Sequence, residues 1–557
     1  MGHCSVYFHS GLSTTFLEIN EIISTLSFFF NHIRRWYGEN KQTMCNHTYY
    51  RPVWTCGRYN PQAQVALMYN LIEGKSFFFE SYSANVIAAI LSSKRNEAID
   101  IDAIASNTGI DSESIIEFIE ETLIGVGLIT NRILTEEDIN VVRKQVGVVM
   151  KNDAPRYTFS NLKEEQIIGS QSAEMEYNKY LNADTQIQSV LFELTYNCSA
   201  QCIHCYNMGA TRNSSEQNCR GVLKEMTIGD YKRVIDELDS LGCYKVCLSG
   251  GDPFSNPLVW DIIEYLYEKE IAFDIFTNGL SIGTQVERLI KYFPRLVGIS
   301  IYSSIPDVHD RITRIKGSLE RSLMVASQLS EFGVPLTFKC VVMKPNIKSY
   351  HLVKQLAIDY GAVCQIEANL CMGVDGDVSM INHLRLSKDE LEILLRDKDI
   401  SLYVGLDLPN EGRVVKAAEA YPCGGGYLFY TIMPTGEMIV CTSLHYILGD
   451  ITKQSIKSIL NGEALKKWRN TKIGDIEQCG NSPKCDYCNL CCGNNYSEHS
   501  VVTKPSRVNC WMADVRYNLM RKLKDGKDPL KGLSVSERLS QLPDNEFSTF
   551  SKEFIAH

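Results

Sequence analysis

Three cysteines stand close together near the middle of the 557-residue chain, Cys198, Cys202 and Cys205, spaced C-x3-C-x2-C. Thiolates are the ligands that hold iron–sulfur clusters. Three of them on a four-iron cluster leave one iron open, and an open metal position is where a small molecule binds. Zinc is the competing reading, but it wants four ligands. Only His204 stands near enough to be the fourth, and it would have to point the same way as its neighbour Cys205. A second group comprises Cys423, Cys441, Cys479, Cys485, Cys488, Cys491, Cys492 and Cys510. Tight cysteine clusters in a large chain point to metal; disulfide frameworks belong to small scaffolds in oxidising compartments. For this second group a pair of zinc knuckles competes with iron–sulfur, because C-x2-C suits both. The other cysteines, Cys4, Cys45, Cys56, Cys219, Cys243, Cys247, Cys340, Cys364 and Cys371, are scattered, several in strand-like runs where they read as small core residues. Cys371, near a strand end, is the one placed to face an active site, where it would need to be an accessible, activated thiol.

These thiols need a scaffold that presents them. From Ser189 onward the pattern alternates between strand and helix. Strands are predicted at Val190–Leu194, Lys245–Ser249, Ala272–Thr277, Val297–Tyr302, Leu336–Val342 and Cys364–Ala368, with helices between them such as Ile228–Leu241, Leu258–Lys269 and Leu319–Phe332. That alternation predicts an α/β fold with a parallel sheet, open or closed as a barrel. Active sites of such sheets lie at the C-terminal ends of the strands, and Cys198 follows the first strand directly. Met433-Pro434-Thr435-Gly436-Glu437 reads as a turn between two further strands. Ahead of all this, residues 51–135 read as a small sheet plus three helices in a winged-helix arrangement. Apolar runs lie at Gln64–Leu71 and Ser76–Phe79, helices at Ala84–Leu91, Ile101–Ser106 and Ser112–Leu128, and a strand at Leu128–Thr130. Residues 136–187 read as a linker with some helix, and 526–557 as a polar, peripheral tail. Residues 1–50 read as an extension, 1–43 being either native or an overlong start before Met44.

The run from Glu193 to Asn207 resembles the signature of the radical S-adenosylmethionine (SAM) superfamily. The resemblance implies a partial (β/α)6 TIM-like barrel over 188–400. It also implies a [4Fe–4S] cluster on Cys198, Cys202 and Cys205 whose open iron chelates SAM, with a 5′-deoxyadenosyl radical that abstracts hydrogen from a substrate. Further stretches resemble the family in the expected order. Ser249-Gly250-Gly251-Asp252-Pro253 is similar to its Gly-Gly-Glu-Pro loop, with an acid one methylene shorter. Asn278 ends the next strand, Ser300 matches a serine that touches the ribose or carboxylate of SAM, and Arg314 or Arg311 matches an arginine that touches SAM. His204 takes the place of the aromatic residue before the third cysteine. The implied SAM contacts are thus His204, Gly250, Gly251, Asp252, Asn278, Ser300 and Arg314. Residues 410–525 resemble a SPASM domain, which implies two auxiliary [4Fe–4S] clusters and three in all. One would use Cys423, Cys441 and Cys492, with Cys491 replacing or completing the set, or leaving an open iron if it does neither. The other would use Cys479, Cys485, Cys488 and Cys510. The order departs from the family's C-x2-C-x5-C-x3-C.

Residues 51–135 resemble the PqqD-like element that binds the leader of a ribosomally made precursor peptide, by adding it as a strand to a sheet edge. The helices there are acidic (Asp100, Asp102, Asp111, Glu113, Glu117, Glu120, Glu121) and the whole chain carries a formal charge of -10, which argues against nucleic acid. The apolar stretch Phe16–Phe30 includes Glu18, Asn20 and Glu21 and is short for a membrane span. The combined expectation is a cytoplasmic, reducing, anaerobic peptide maturase that forms a thioether or C–C cross-link, fed electrons by a flavodoxin or ferredoxin. Two alternatives compete: an anaerobic sulfatase-type maturase that oxidises a cysteine or serine of a protein, and a non-catalytic iron–sulfur peptide-binding scaffold or electron carrier. The general acid or base and the oligomeric state have no signal in the sequence.

Overall fold

A computed structural model describes residues 48–153, 173–206, 224–370, 379–398, 418–479 and 482–547. Cys371, and nearly all of the extension at 1–50, lie outside the described residues. The chain divides into two compact units, Met1–Gln145 with Glu164–Leu181, and Val146–Lys163 with Asn182–His557.

In the first unit, β1 (Thr55–Asn60), β2 (Val65–Asn70) and β3 (Lys75–Glu80) form an antiparallel meander in that order. The central strand β2 is buried along its whole length. Helices Ser81–Ser92, Ile101–Thr108 and Ser112–Phe118 follow. Asp100 and Asp111 cap the second and third, accepting from the backbone of Ala103 and Ser114. Met68, Phe79, Ile87, Ile115 and Leu123 meet in the core. Two local expectations fail. The helix expected to run to Leu128 gives way to a π turn at Ile119–Leu123, and Leu128–Thr130 form no strand. Thr130 makes only an isolated bridge, to Tyr50. Strand β1 was not expected, because Thr-Cys-Gly-Arg-Tyr-Asn shows no clean alternation. Much of the segment read as a linker is an 18-residue helix, Glu136–Asp153.

The second unit is built on one nine-stranded sheet. β4 (Ser189–Glu193), β5 (Lys245–Ser249), β6 (Ala272–Thr277), β7 (Leu296–Ser300), β8 (Leu336–Val341) and β9 (Val363–Glu367) are parallel and adjacent in chain order. Each expected strand is present to within a residue or two. On the β4 side the sheet continues with β10 (Phe429–Ile432), parallel to β4, then β11 (Glu437–Cys441) and β12 (Leu444–Asp450) as an antiparallel pair. The C-terminal cysteine region therefore shares its sheet with the six strands, rather than standing apart from residue 410 on. One apolar face, with Phe192, Leu248, Ile275, Ile299, Phe338 and Ile366, packs in a single core with Ile235, Ile262 and Leu329 of the intervening helices.

The segment read as a peripheral tail is bound instead. Leu539 and Leu542 join the main core, Phe547 packs in a second cluster with Tyr302, and Arg396 pairs with Asp528 at 2.8 Å. Isolated apolar residues in a polar run hid this from composition.

Candidate active site

The C-terminal ends of β4, β5, β6 and β7 each lead into a stretch singled out in the sequence. After β4 the chain enters the loop of Cys198, Cys202 and Cys205. Backbone amides of Gln201 and Ile203 donate to Thr313 and Ile312 at the end of helix Pro306–Thr313, both at 3.0 Å, which moors the loop on the segment after β7. Arg314 lies immediately beyond, in the left-handed conformation (φ 58°).

Gly250 and Gly251 follow β5, and the structure gives them a packing role. A Cβ on Gly251 would lie 2.2 Å from the carbonyl oxygen of Asn197, and one on Gly250 would lie 2.6 Å from that of Thr195. Gly251 and Asp252 donate their backbone N–H groups to Thr195 and Asn197 at 2.7 and 2.9 Å. The two glycines thus let this loop dock under the cysteine loop; they approach backbone.

Asp252 is fully buried. Its carboxylate accepts from the backbone N–H of Phe254 (3.0 Å), the hydroxyl of Thr277 (2.6 Å) and the backbone N–H of Asn278 (3.0 Å). Burial pushes its pKa up, and these three donors pull it back. The acid expected to touch SAM is engaged in bracing the end of β6. Asn278 in turn donates from Nδ2 to the sulfur of Cys198 at 3.2 Å. So this residue, too, is spent on the cysteine loop.

On the other side, Tyr302 and Cys202 belong to one small buried cluster. The Tyr302 ring stands edge-on to His204 (4.7 Å) and stacks on His309 (5.5 Å). Burial pushes both histidines down to about 4, so each is neutral at pH 7. The Nδ1 atom of His204 is buried with no hydrogen-bond partner among the described residues. Burial, with Asp252 and Cys205 close by, lifts the thiol of Cys198 to about 11, and burial with Cys205 and Cys198 raises that of Cys202. Sequence reasoning missed Tyr302 and also Glu193, the last residue of β4. Glu193 is buried, its carboxyl pushed up to about 7 by desolvation, with the Tyr206 hydroxyl at 3.4 Å. A charged residue closing an apolar strand was the available signal.

In the second group, Cys441 ends β11, and Cys423 and Cys491 are near enough to raise its pKa. Burial is the larger cause, and together they bring it to about 12. Cys491 is the N-cap of helix Cys492–His499, with no hydrogen bond from its side chain to the cap. Cys492, expected as the ligand, is 1% exposed and packed in the apolar core. Cys491, the other residue offered for this set, stands near Cys441, as Cys423 does. Cys485 and Cys488 lie on and just after the short turn Pro483–Tyr487, and Cys510 is placed beside Cys485 by helix Arg507–Lys524. Cys479 closes a turn on Ile476, next to residues 480–481, which lie outside the described ones.

Among the described residues no three His, Cys, Asp or Glu side chains stand close enough to share a single metal ion. The fit of an iron–sulfur cluster lies in the donors: neighbouring thiols, desolvated, with side-chain and backbone hydrogen-bond donors aimed at their sulfurs.

Residues 192–353 match the Radical SAM superfamily and residues 423–492 match SPASM, an iron–sulfur cluster-binding domain. The chain therefore carries a radical SAM domain followed by a SPASM domain, and it is an enzyme; SAM and iron–sulfur clusters are the cofactors of these domains. Two curated relatives illustrate the range. The chain is 26% identical over 325 residues to the AdoMet-dependent heme synthase of Methanosarcina barkeri, a match covering 55% of this chain and 90% of that protein. It is also 26% identical over 314 residues to the antilisterial bacteriocin subtilosin biosynthesis protein AlbA of Bacillus subtilis, covering 54% of this chain and 66% of that protein. Among solved structures, SuiB of Streptococcus suis bound to S-adenosylmethionine is similar at a TM-score of 0.47 and 13% identity, over 84% of this chain and 100% of that one.

Proposed function

We propose that this enzyme is a peptide maturase that cross-links a ribosomally made precursor through a thioether or C–C bond. One observation carries the peptide reading: a separate folded unit whose three-stranded sheet ends in an edge strand, β3. An edge strand offers unpaired backbone groups to an extended peptide, the physics of β-augmentation. We read this unit as a PqqD-like recognition element for the leader. The likeness to a bacteriocin biosynthesis protein supports the reading.

When bound, a reduced cluster and SAM supply a 5′-deoxyadenosyl radical that takes a hydrogen atom from the peptide. The chain's own residues prepare that site. Cys198, Cys202 and Cys205 are the proposed ligands, and Gly250 and Gly251 dock their loop onto the sheet. Asp252 braces Asn278 beneath them. His204, neutral and with a free Nδ1, together with Ser300 and Arg314, lies where SAM would be held. Cys423, Cys441 and Cys491, and separately Cys479, Cys485, Cys488 and Cys510, are the proposed auxiliary ligands. Forming the cross-link removes two hydrogens from the peptide, one as an atom and one as a proton, and the remaining electron leaves through the protein. Electrons enter from a flavodoxin or ferredoxin.

Co-expression with the small open reading frame nearest the gene, followed by mass spectrometry, tests the proposal. A peptide lighter by two hydrogens supports it. An unmodified peptide, from protein that still cleaves SAM to 5′-deoxyadenosine, sinks the cross-linking reading. No 5′-deoxyadenosine from reduced, iron-loaded protein would sink the radical mechanism itself.

A further inference from the structure

We infer that Asn278 sets the reduction potential of the cluster proposed for Cys198, Cys202 and Cys205, by hydrogen-bonding one of its three thiolates from a side chain; the inference rests on that ligand assignment. Asn278 sits one residue past β6, and its amide is held so that only one orientation serves. Oδ1 accepts the backbone N–H of Leu280 at 2.8 Å, which turns Nδ2 toward Cys198 at 3.2 Å. Its backbone is pinned at both ends. The N–H donates to buried Asp252 at 3.0 Å, and the carbonyl accepts the Ser322 hydroxyl at 2.6 Å. The donor at Cys198 is therefore pre-placed.

Reduction adds one negative charge, spread over the cluster and its thiolates. A hydrogen bond donated to a thiolate strengthens as that charge grows, so it favours the reduced form and raises the potential. Backbone N–H groups, such as that of Ala200 to Cys198 at 3.4 Å, exert the same pull but cannot be deleted by substitution. The side chain of Asn278 can.

The test uses the full chain, anaerobically loaded with iron and sulfide, and an EPR-monitored redox titration. The signal to follow is the one absent from a variant with Cys198, Cys202 and Cys205 all replaced by alanine. Asn278→Leu should keep the wild-type iron content and lower the midpoint potential. A tenfold shift in the one-electron equilibrium corresponds to about 59 mV. An unchanged midpoint with iron retained overturns the inference. Loss of iron from the variant makes Asn278 a structural support and overturns it as well. If the triple-alanine variant keeps all its iron, the ligand assignment fails first and the inference falls with it.

Discussion

Replacing Glu193 by glutamine should stabilise the protein at neutral and alkaline pH. Glu193 is 1% exposed at the end of β4, and its carboxylate accepts from the Tyr206 hydroxyl at 3.4 Å. Desolvation raises its pKa from 4.5 to about 7 in the folded protein. Above pH 4.5 the unfolded chain releases this proton while the folded chain keeps it, so folding stability falls as pH rises through that window and levels off above 7. At about 1.4 kcal/mol per pKa unit, the cost approaches ~3 kcal/mol by pH 8 and is only ~1.4 kcal/mol at pH 5.5. Glutamine cannot ionise and keeps an oxygen for Tyr206. Urea unfolding of both proteins, anaerobically, at pH 5.5 and pH 8 measures the difference directly. The variant's advantage should grow by roughly 2 kcal/mol between the two pH values, the difference of those two costs. Parallel pH dependences for the two proteins would refute the reasoning, because they would mean that Glu193 is ionised in the fold or hydrated.

Four other substitutions read the structure independently. Cys491→Ala should lower the iron content by about one cluster, whereas Cys492→Ala should keep its iron and lose only packing, by about 1 kcal/mol for a small buried group; the reverse pattern in an iron assay would restore Cys492 as the ligand. Gly251→Ala places a methyl 2.2 Å from the carbonyl oxygen of Asn197, so it should cost about 1–3 kcal/mol of overpacking and displace the cysteine loop, seen as lost 5′-deoxyadenosine formation with less iron bound; full activity would show that the loops do not dock. Leu542→Ala should destabilise by about 2–5 kcal/mol if the C-terminal segment is part of the core, and a shift in the denaturation midpoint close to zero would return it to the periphery.

What the sequence showed was mostly local. The six strands β4 to β9 were legible because each is a short apolar run between amphipathic helices, and periodicity is a local property. That β10 lies beside β4 was not legible. The pairing of Phe429 with Ser189 joins residues far apart in the chain, and no pattern within either strand encodes it. The choice between Cys491 and Cys492 was also beyond spacing. The two residues are adjacent, and what separates them is the start of a helix: Cys491 is its half-buried N-cap, while Cys492, its first residue, is buried in the core.

The same distinction governs the motif residues around the first cysteine cluster. Gly250, Gly251, Asp252 and Asn278 were picked out as SAM contacts because a resemblance put them at the right strand ends. All four are at those strand ends, and all four point their chemistry at the protein. The glycines meet the backbone of Thr195 and Asn197, Asp252 meets Phe254, Thr277 and Asn278, and Asn278 meets Cys198. A carboxylate has about four acceptor sites, and three donors already occupy most of those on Asp252. Asp252 is thereby a brace for Asn278, one of the groups that hydrogen-bonds the cysteine loop. Asp252→Glu is the substitution that separates the two roles. It should free the Thr277 hydroxyl and the Asn278 N–H, a loss of about 1–3 kcal/mol for unsatisfied buried donors. A stable, fully iron-loaded Glu variant would show that the brace is dispensable.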